Sequence, residues 1–220
     1  EGGCCHVHLM HEMCVCMPHR DKKDRYGDEL PGYTGPEEGV CHQERERTLP
    51  LRIMDKTDQL ALAMMDYNHG DPKRIQHTTK VHAYASLMGR EEGLDAETQF
   101  ILESAALVHD IGIRASEQKY GYQNGKLQEQ EGPAVARELL SRLGGYTAQQ
   151  TERICWLIAH HHTYHVCEDM DYQLLIEADF LVNLYEDNES PKAIQTVRRN
   201  IFKTKSGLKM LDSMYGDTDL

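Results

Sequence analysis

A histidine and an aspartate stand side by side near the end of an apolar stretch, at His109 and Asp110. The positions leading up to them recur with the i, i+3, i+4, i+7 spacing of one apolar helix face: Leu102, Ala105, Ala106 and His109. A carboxylate at the inner end of such a face is costly unless it is paired, hydrogen-bonded or bound to a metal. Gly112 is typical of the residue that ends a helix. We therefore expect both side chains at a helix terminus, where neighbours can converge on one point.

Three further ionisable side chains fall on apolar helix faces. His161 ends a second apolar stripe, Asp179 lies on one side with Leu175 and Val182, and His77 precedes Val81 and Tyr84. One inward histidine is commonly a satisfied core residue. Several histidines and aspartates without basic neighbours instead favour a divalent cation, which offsets all their burial costs together. Mixed imidazole and carboxylate ligands suit Mn, Fe, Co, Ni or Zn better than Ca.

Composition limits the classes of partner. The chain has 220 residues and a net charge of -12, which suits one globular domain with room for an appendage and disfavours a duplex nucleic-acid binder. A small phosphorylated substrate stays compatible, because a local metal can outweigh the overall field. No apolar run is long enough to span a membrane, and we recognise no secretory signal. Seven cysteines without a regular disulfide framework indicate a reducing, cytoplasmic compartment.

Residues 1–50 differ in kind from the rest of the chain. They lack helical periodicity and carry a dense cysteine and histidine group between Cys4 and His19. A small metal-binding module is one interpretation, although the paired spacings of zinc sites are missing. The other is an irregular, poorly ordered extension, with Met54 as a plausible natural start. We expect the folded domain to occupy residues 51–220.

The remainder is predicted to be all-α, because helical signals follow one another and no strand pattern of useful length interrupts them. Helix starts are predicted at Asp71, Asp95, Thr147 and Ser190. Residues 114–130 are rich in glycine and polar side chains, and they predict a long loop that could act as a lid. The helix that begins at Ser190 is predicted to end near Gly207.

The ordered set of histidines and aspartates resembles the HD superfamily of metal-dependent phosphohydrolases, over roughly Arg74 to Tyr185. The matching segments are His77-Thr-Thr-Lys-Val81, Ala-Ala-Leu-Val-His109-Asp110-Ile-Gly, Leu-Ile-Ala-His160-His161-His162 and Ile-Glu-Ala-Asp179-Phe-Leu-Val-Asn-Leu. The resemblance implies an HD-domain helical bundle that hydrolyses a small phosphoester: a nucleotide, a dinucleotide or a phosphomonoester. It also implies one divalent ion (Mn, Fe, Co, Ni, Zn or Mg) held by His77, His109, Asp110 and Asp179.

A metal-bound water would be the nucleophile of such an enzyme, and Asp110 is the candidate catalytic group that accepts its proton. Some relatives bind a second metal through a histidine at the position that Gln128 occupies here. His161 remains a candidate for a second metal or for substrate. His160 and His162 are expected at the surface.

Phosphate also needs positive donors, for which the candidates are Lys80, Arg114 and Lys119. Tyr120 and Tyr122 are candidates for stacking on a nucleotide base, although packing is the commoner role of such residues.

Two other functions stay open. The first is a non-catalytic domain that senses metal or nucleotide. It is favoured by Ile113, which stands where some single-metal relatives have an acid that assists catalysis. Glu117 is only a weak substitute for that acid. A di-iron oxygenase is the third hypothesis, and Gln128 counts against it because that chemistry needs a histidine-rich second site.

Overall fold

The computed structural model describes residues 54–167 and 169–216. Over those ranges the chain is all-α, as predicted, with nine helices and no strand. The helices are α1 (Lys56–Tyr67), α2 (Pro72–Glu91), α3 (Ala96–Val108), α4 (Gly112–Tyr120), α5 (Gly125–Leu143), α6 (Ala148–Ile158), α7 (Met170–Glu186), α8 (Pro191–Asn200) and α9 (Lys205–Tyr215). The predicted irregular extension at 1–50, with its cysteines and histidines, lies outside the described residues.

Side-chain caps explain where several helices begin. Asp71 accepts a hydrogen bond from the Arg74 amide at 3.0 Å and precedes a proline, so α2 starts at the predicted residue. Thr147 and Gln150 form the predicted reciprocal capping box at the start of α6. Each cap satisfies backbone amides that the helix itself leaves free.

The helices that carry the candidate ligands pack directly on one another. α2 packs against α3 and α7, and α3 also packs against α6 and α7. Their contact faces supply much of the core, in which Val81, Leu102, Leu157 and Leu175 are fully buried. Burying each of these side chains stabilises the fold by about 1.5–3 kcal/mol. His77 lies on the buried side of α2, and the same packing fixes its position relative to the candidate ligands on α3 and α7.

The prediction of a long loop at residues 114–130 is wrong. Residues 112–120 form α4, residues 121–124 make the connection, and α5 begins at Gly125. Gly121 ends α4 with a φ of 78°, and Asn124 caps α5 by accepting from the Leu127 amide at 2.9 Å. The polar composition that suggested a loop belongs to the exposed faces of these two helices, so a long lid is absent from this stretch.

Gly112 also has a different role from the predicted helix stop, because it is the first residue of α4. A Cβ atom here would lie 2.5 Å from the Gln128 carbonyl oxygen and 2.7 Å from the Gly132 amide nitrogen. Glycine is therefore needed for the close approach of α4 to α5, directly beside Asp110.

The predicted single helix after Ser190 is two helices, α8 and α9, with a break at residues 201–204. Glu177 on α7 holds this break, since its buried carboxylate accepts from the amides of Lys203 at 2.6 Å and Thr204 at 3.0 Å. Thr204 in turn caps α9. Helical periodicity continues across the break, which is why the sequence pattern missed it.

Among the described helices, none has the length and apolar character that crossing a membrane requires.

Replacing Gly112 with alanine is expected to destabilise the fold by about 1–3 kcal/mol, because the added methyl group meets rigid backbone on α5. Chemical denaturation followed by circular dichroism measures the change. Ala115→Ser, which adds one atom on a partly exposed part of α4, is the matched control and should change stability little. Equal stability of Gly112→Ala and wild type would contradict the close-packing account.

Candidate metal centre

The four predicted metal ligands converge although they come from separate parts of the chain. His77 lies on α2, His109 caps the end of α3, Asp110 follows it, and Asp179 lies on α7. His77 Nε2 is 3.1 Å from Asp179 Oδ1, 3.4 Å from Asp110 Oδ2 and 3.3 Å from His109 Nε2. His109 Nε2 is 3.5 Å from Asp179 Oδ1 and 3.6 Å from Asp110 Oδ2. Ligands about 2.1 Å from a tetrahedral metal stand about 3.4 Å from each other, so these spacings fit one bound ion.

Hydrogen bonds on the outer ring nitrogens fix the histidines in one tautomer. Nδ1 of His109 donates to the Ala106 carbonyl at 2.9 Å, and Nδ1 of His161 donates to the Ile158 carbonyl at 2.7 Å. Nδ1 of His77 donates to Glu186 Oε2 at 3.1 Å. These partners only accept hydrogen bonds, so each Nδ1 carries a proton and Nε2 is the ring atom left to bind a metal. Metal-binding histidines are oriented in this manner.

The electrostatics of the cluster favour positive charge. Burial lowers the pKa of the fully buried His109, but the Asp110 and Asp179 carboxylates outweigh that effect and raise it to about 9. Burial would raise the pKa of Asp110, yet His109 and His161 lower it to about 2. The pKa of Asp179 is likewise well below its usual range, because His109 and His77 outweigh its burial. Both carboxylates are therefore ionised, and a divalent cation would supply the charge that they attract.

His161 extends the cluster on the far side of Asp110. Its Nε2 is 3.6 Å from Asp110 Oδ1, whereas Oδ2 of the same carboxylate faces His77 and His109. Within the described ranges, His161 Nε2 and Asp179 Oδ1 are buried without a hydrogen-bond partner. Asp110, His161 and His162 could together hold a cation of their own. The two oxygens of Asp110 thus serve two neighbouring groups of histidines.

His160 and His162, which were expected at the surface, are both only partly exposed. The His160 ring stacks on Trp156 with 4.3 Å between ring centroids. The chain after α6 instead turns back toward α5, where Glu129 accepts from the His162 amide at 2.9 Å. His162 Nε2 then lies 2.5 Å from the side-chain oxygen of Gln128, and burial lowers the pKa of His162 to about 4.

Glu186 belongs to the site and was missed by the sequence interpretation. It follows Asp179 by two helical turns on α7, so the spacing could have revealed it. Besides accepting from His77, its carboxylate pairs with the Lys80 ammonium. Glu186 thus holds the outer nitrogen of His77, whose inner nitrogen is the candidate metal ligand. A carboxylate in this position sets the orientation and the basicity of the imidazole ring.

A cavity of about 260 Å³ opens beside the cluster. Its lining is formed by Asp71, Lys73, Arg74, His77, Asp110, Ile113, Gln123, Gln128, His162, Asn183, Glu186 and Asp187. The cluster therefore has direct access to a space in which a small ligand could bind.

The cations predicted to bind substrate do not line this cavity. Lys80 pairs with Glu186, Lys119 pairs with Glu131 at 2.8 Å, and Arg114 donates to the Tyr67 carbonyl at 2.5 Å. Lys73 and Arg74 line it instead. They lie one turn before His77 on α2, and this position relative to a predicted ligand is the signal that could have identified them.

Comparisons with known proteins bear on the family and the fold. The family model described as HD domain matches residues 74–198. A crystal structure of a predicted HD superfamily hydrolase from an uncultured Thermotogales bacterium is 25% identical, with a TM-score of 0.51 over 72% of this chain and 84% of that one. A search of curated proteins found no match.

Removing one ligand should abolish metal binding. We expect purified His109→Ala and Asp179→Ala to retain less than about a tenth of the wild-type divalent metal, since a buried site with one ligand missing loses both charge and geometry. Elemental analysis by mass spectrometry measures this. His160→Ala is the control and should keep its metal, because His160 stacks on Trp156. A His109→Ala protein with wild-type metal content would refute the assignment.

Glu186→Ala should weaken the affinity for Mn²⁺ or Zn²⁺ by about 10–100-fold, because His77 loses the carboxylate that orients it. Competition with a chromophoric chelator measures the dissociation constant. Glu189→Ala, at an exposed position beyond the end of α7, should leave the affinity unchanged. Equal affinities of Glu186→Ala and wild type would show that Glu186 does not support the ligand.

Proposed function

Because the chain belongs to the HD domain family, we propose that it is a metal-dependent phosphohydrolase that cleaves a small phosphoester. The observation that carries the proposal is the convergence of histidine Nε2 atoms and two ionised carboxylates beside a cavity lined by Lys73 and Arg74. Ligands of this kind hold a catalytic cation, and the neighbouring positive side chains suit an anionic substrate. The similarity to the Thermotogales protein, a predicted HD superfamily hydrolase, is consistent with it.

His77, His109, Asp110 and Asp179 would hold the ion, with Mn, Fe, Co, Ni, Zn and Mg as candidates. A bound divalent cation lowers the pKa of its water and polarises a phosphoryl oxygen. Asp110 is suited to the proton transfer, because 17% of its side chain is exposed and it lines the cavity. Its lowered pKa keeps the carboxylate ionised at neutral pH but makes it a weak base, so it would take a proton only from a water that a bound metal had acidified.

Lys73 and Arg74 would bind the phosphoryl group. Arg74 is held in place by Asp71 at 3.2 Å and Glu117 at 2.5 Å. Lys73 forms no hydrogen bond or ion pair with any described residue, so its ammonium is available for an anion. A fixed guanidinium and a free ammonium at the cavity together offset the charge of a phosphate.

A metal- or nucleotide-sensing domain is the second candidate, favoured by a specific observation. Ile113 lines the cavity where an assisting acid would stand, and Glu117 is occupied by Arg74. A sensor predicts binding of a phosphorylated ligand without its turnover, which the experiment below separates from catalysis.

We further propose that the enzyme works in the cytoplasm on a small molecule and not on duplex nucleic acid. The seven cysteines without a disulfide framework support the compartment, and the net charge of -12 opposes a polyanionic partner.

Purified protein with Mn²⁺ should hydrolyse p-nitrophenyl phosphate, and EDTA should abolish the activity until metal is returned. Asp110→Asn should lower kcat by about 10²–10⁴-fold, because it removes a ligand and the proton acceptor together. Release of p-nitrophenol measures both effects. Asp66→Asn, on the exposed side of α1, should behave as wild type. Binding of phosphate without any turnover would favour the sensor, and turnover that EDTA does not affect would exclude the metal mechanism.

A further inference from the structure

Resting on the proposed function, we propose that the substrate is a small polyhydroxylated phosphomonoester, a sugar or polyol phosphate, and not a nucleotide. The proposal comes from the size, polarity and charge of the cavity beside the metal centre.

The cavity is small, and most of the residues that line it carry polar or charged groups. Its volume of about 260 Å³ lies below the roughly 300–1,000 Å³ of pockets that enclose drug-sized ligands. Ile113 is the only apolar side chain that the described residues contribute to its lining. Pockets that enclose drug-sized ligands are lined mainly by hydrophobic and aromatic side chains. A lining of this kind instead favours a compact ligand that carries hydrogen-bonding groups on most of its surface.

Within the described part of the chain, no phenylalanine, tyrosine or tryptophan lines the cavity, so a nucleotide base has no such ring to stack on there. The two tyrosines that the sequence suggested for this role lie elsewhere. The Tyr120 hydroxyl donates to Glu131 at 2.9 Å, and Tyr122 is 58% exposed outside the lining.

Carboxamides in the lining suit hydroxyl groups. Asn183 stands one turn after Asp179, and its side chain makes no hydrogen bond to any other described residue. Gln123 uses its oxygen to accept from Gln128 at 2.5 Å, which leaves its NH₂ group available. A carboxamide donates and accepts at once, and so does a hydroxyl, so the two groups match.

The charge balance of the lining disfavours a ligand with more than one phosphate. Among the described residues of the lining, four carboxylates face two cations, Lys73 and Arg74. One divalent metal ion brings this lining to neutrality, so each additional phosphate of a nucleoside di- or triphosphate would add negative charge that no further cation of the lining offsets.

Ribose 5-phosphate and adenosine 5′-monophosphate provide a matched test, since both present a 5′-phosphate on ribose and differ by the base. With the Mn²⁺-loaded protein, kcat/KM for ribose 5-phosphate should exceed that for the nucleotide at least tenfold. An equal or higher value for the nucleotide would overturn the inference while leaving the phosphohydrolase function intact. If ribose 5-phosphate, adenosine 5′-monophosphate and p-nitrophenyl phosphate all resist hydrolysis with every divalent cation, the proposed function fails and the inference with it.

Substitution of Asn183 tests whether the protein contacts the hydroxyl groups of the substrate. Asn183→Leu should lower kcat/KM for ribose 5-phosphate at least tenfold relative to kcat/KM for p-nitrophenyl phosphate, which carries no hydroxyls. Tyr122→Ala is the matched control and should leave the preference between ribose 5-phosphate and the nucleotide unchanged. A selective loss of nucleotide turnover in Tyr122→Ala would reveal base stacking and overturn the inference, and an unchanged ratio in Asn183→Leu would refute the hydroxyl contact.

Discussion

Two ionised carboxylates, Asp110 and Asp179, lie buried against histidine nitrogens that present lone pairs toward them. Carboxylate oxygens and nitrogen lone pairs are all hydrogen-bond acceptors. Placing them against one another in the protein interior costs several kcal/mol unless positive charge lies among them. Protonation of His109, whose pKa is raised to about 9, is one way to supply that charge. A divalent cation supplies it with better geometry, because the spacings of 3.1–3.6 Å match those of ligands around one metal.

The rest of the domain holds this arrangement in place. α2, α3 and α7 pack through fully buried apolar side chains, so the ligands cannot move apart without opening the core. Outer hydrogen bonds to Ala106 and Ile158 set two of the rings, and the Glu186–Lys80 pair sets the ring of His77. The close approach at Gly112 places α4 against α5 beside Asp110, where the cavity opens. Stability and binding geometry thus depend on the same contacts.

The sequence was informative where a residue follows the period of a helix. Apolar stripes ending at His109 and His161, and caps such as Asp71 and Thr147, predicted helices that the structure contains. It was uninformative where tertiary contacts decide. Gly112 faces α5 rather than ending a helix, and the polar segment after it forms two helices because its other face is buried. The pairing of Lys80 with Glu186 depends on the packing of α2 against α7, which no local pattern encodes, and so the cations of the cavity were misassigned.

The central claim is that one divalent ion lies among His77, His109, Asp110 and Asp179. Anomalous X-ray diffraction from crystals grown with Mn²⁺, with data collected at the manganese absorption edge, tests it most directly. The account predicts a strong anomalous peak about 2.0–2.2 Å from a ligand atom of each of these four side chains. A well-ordered site with no anomalous peak, or a peak bound to other residues, would contradict it.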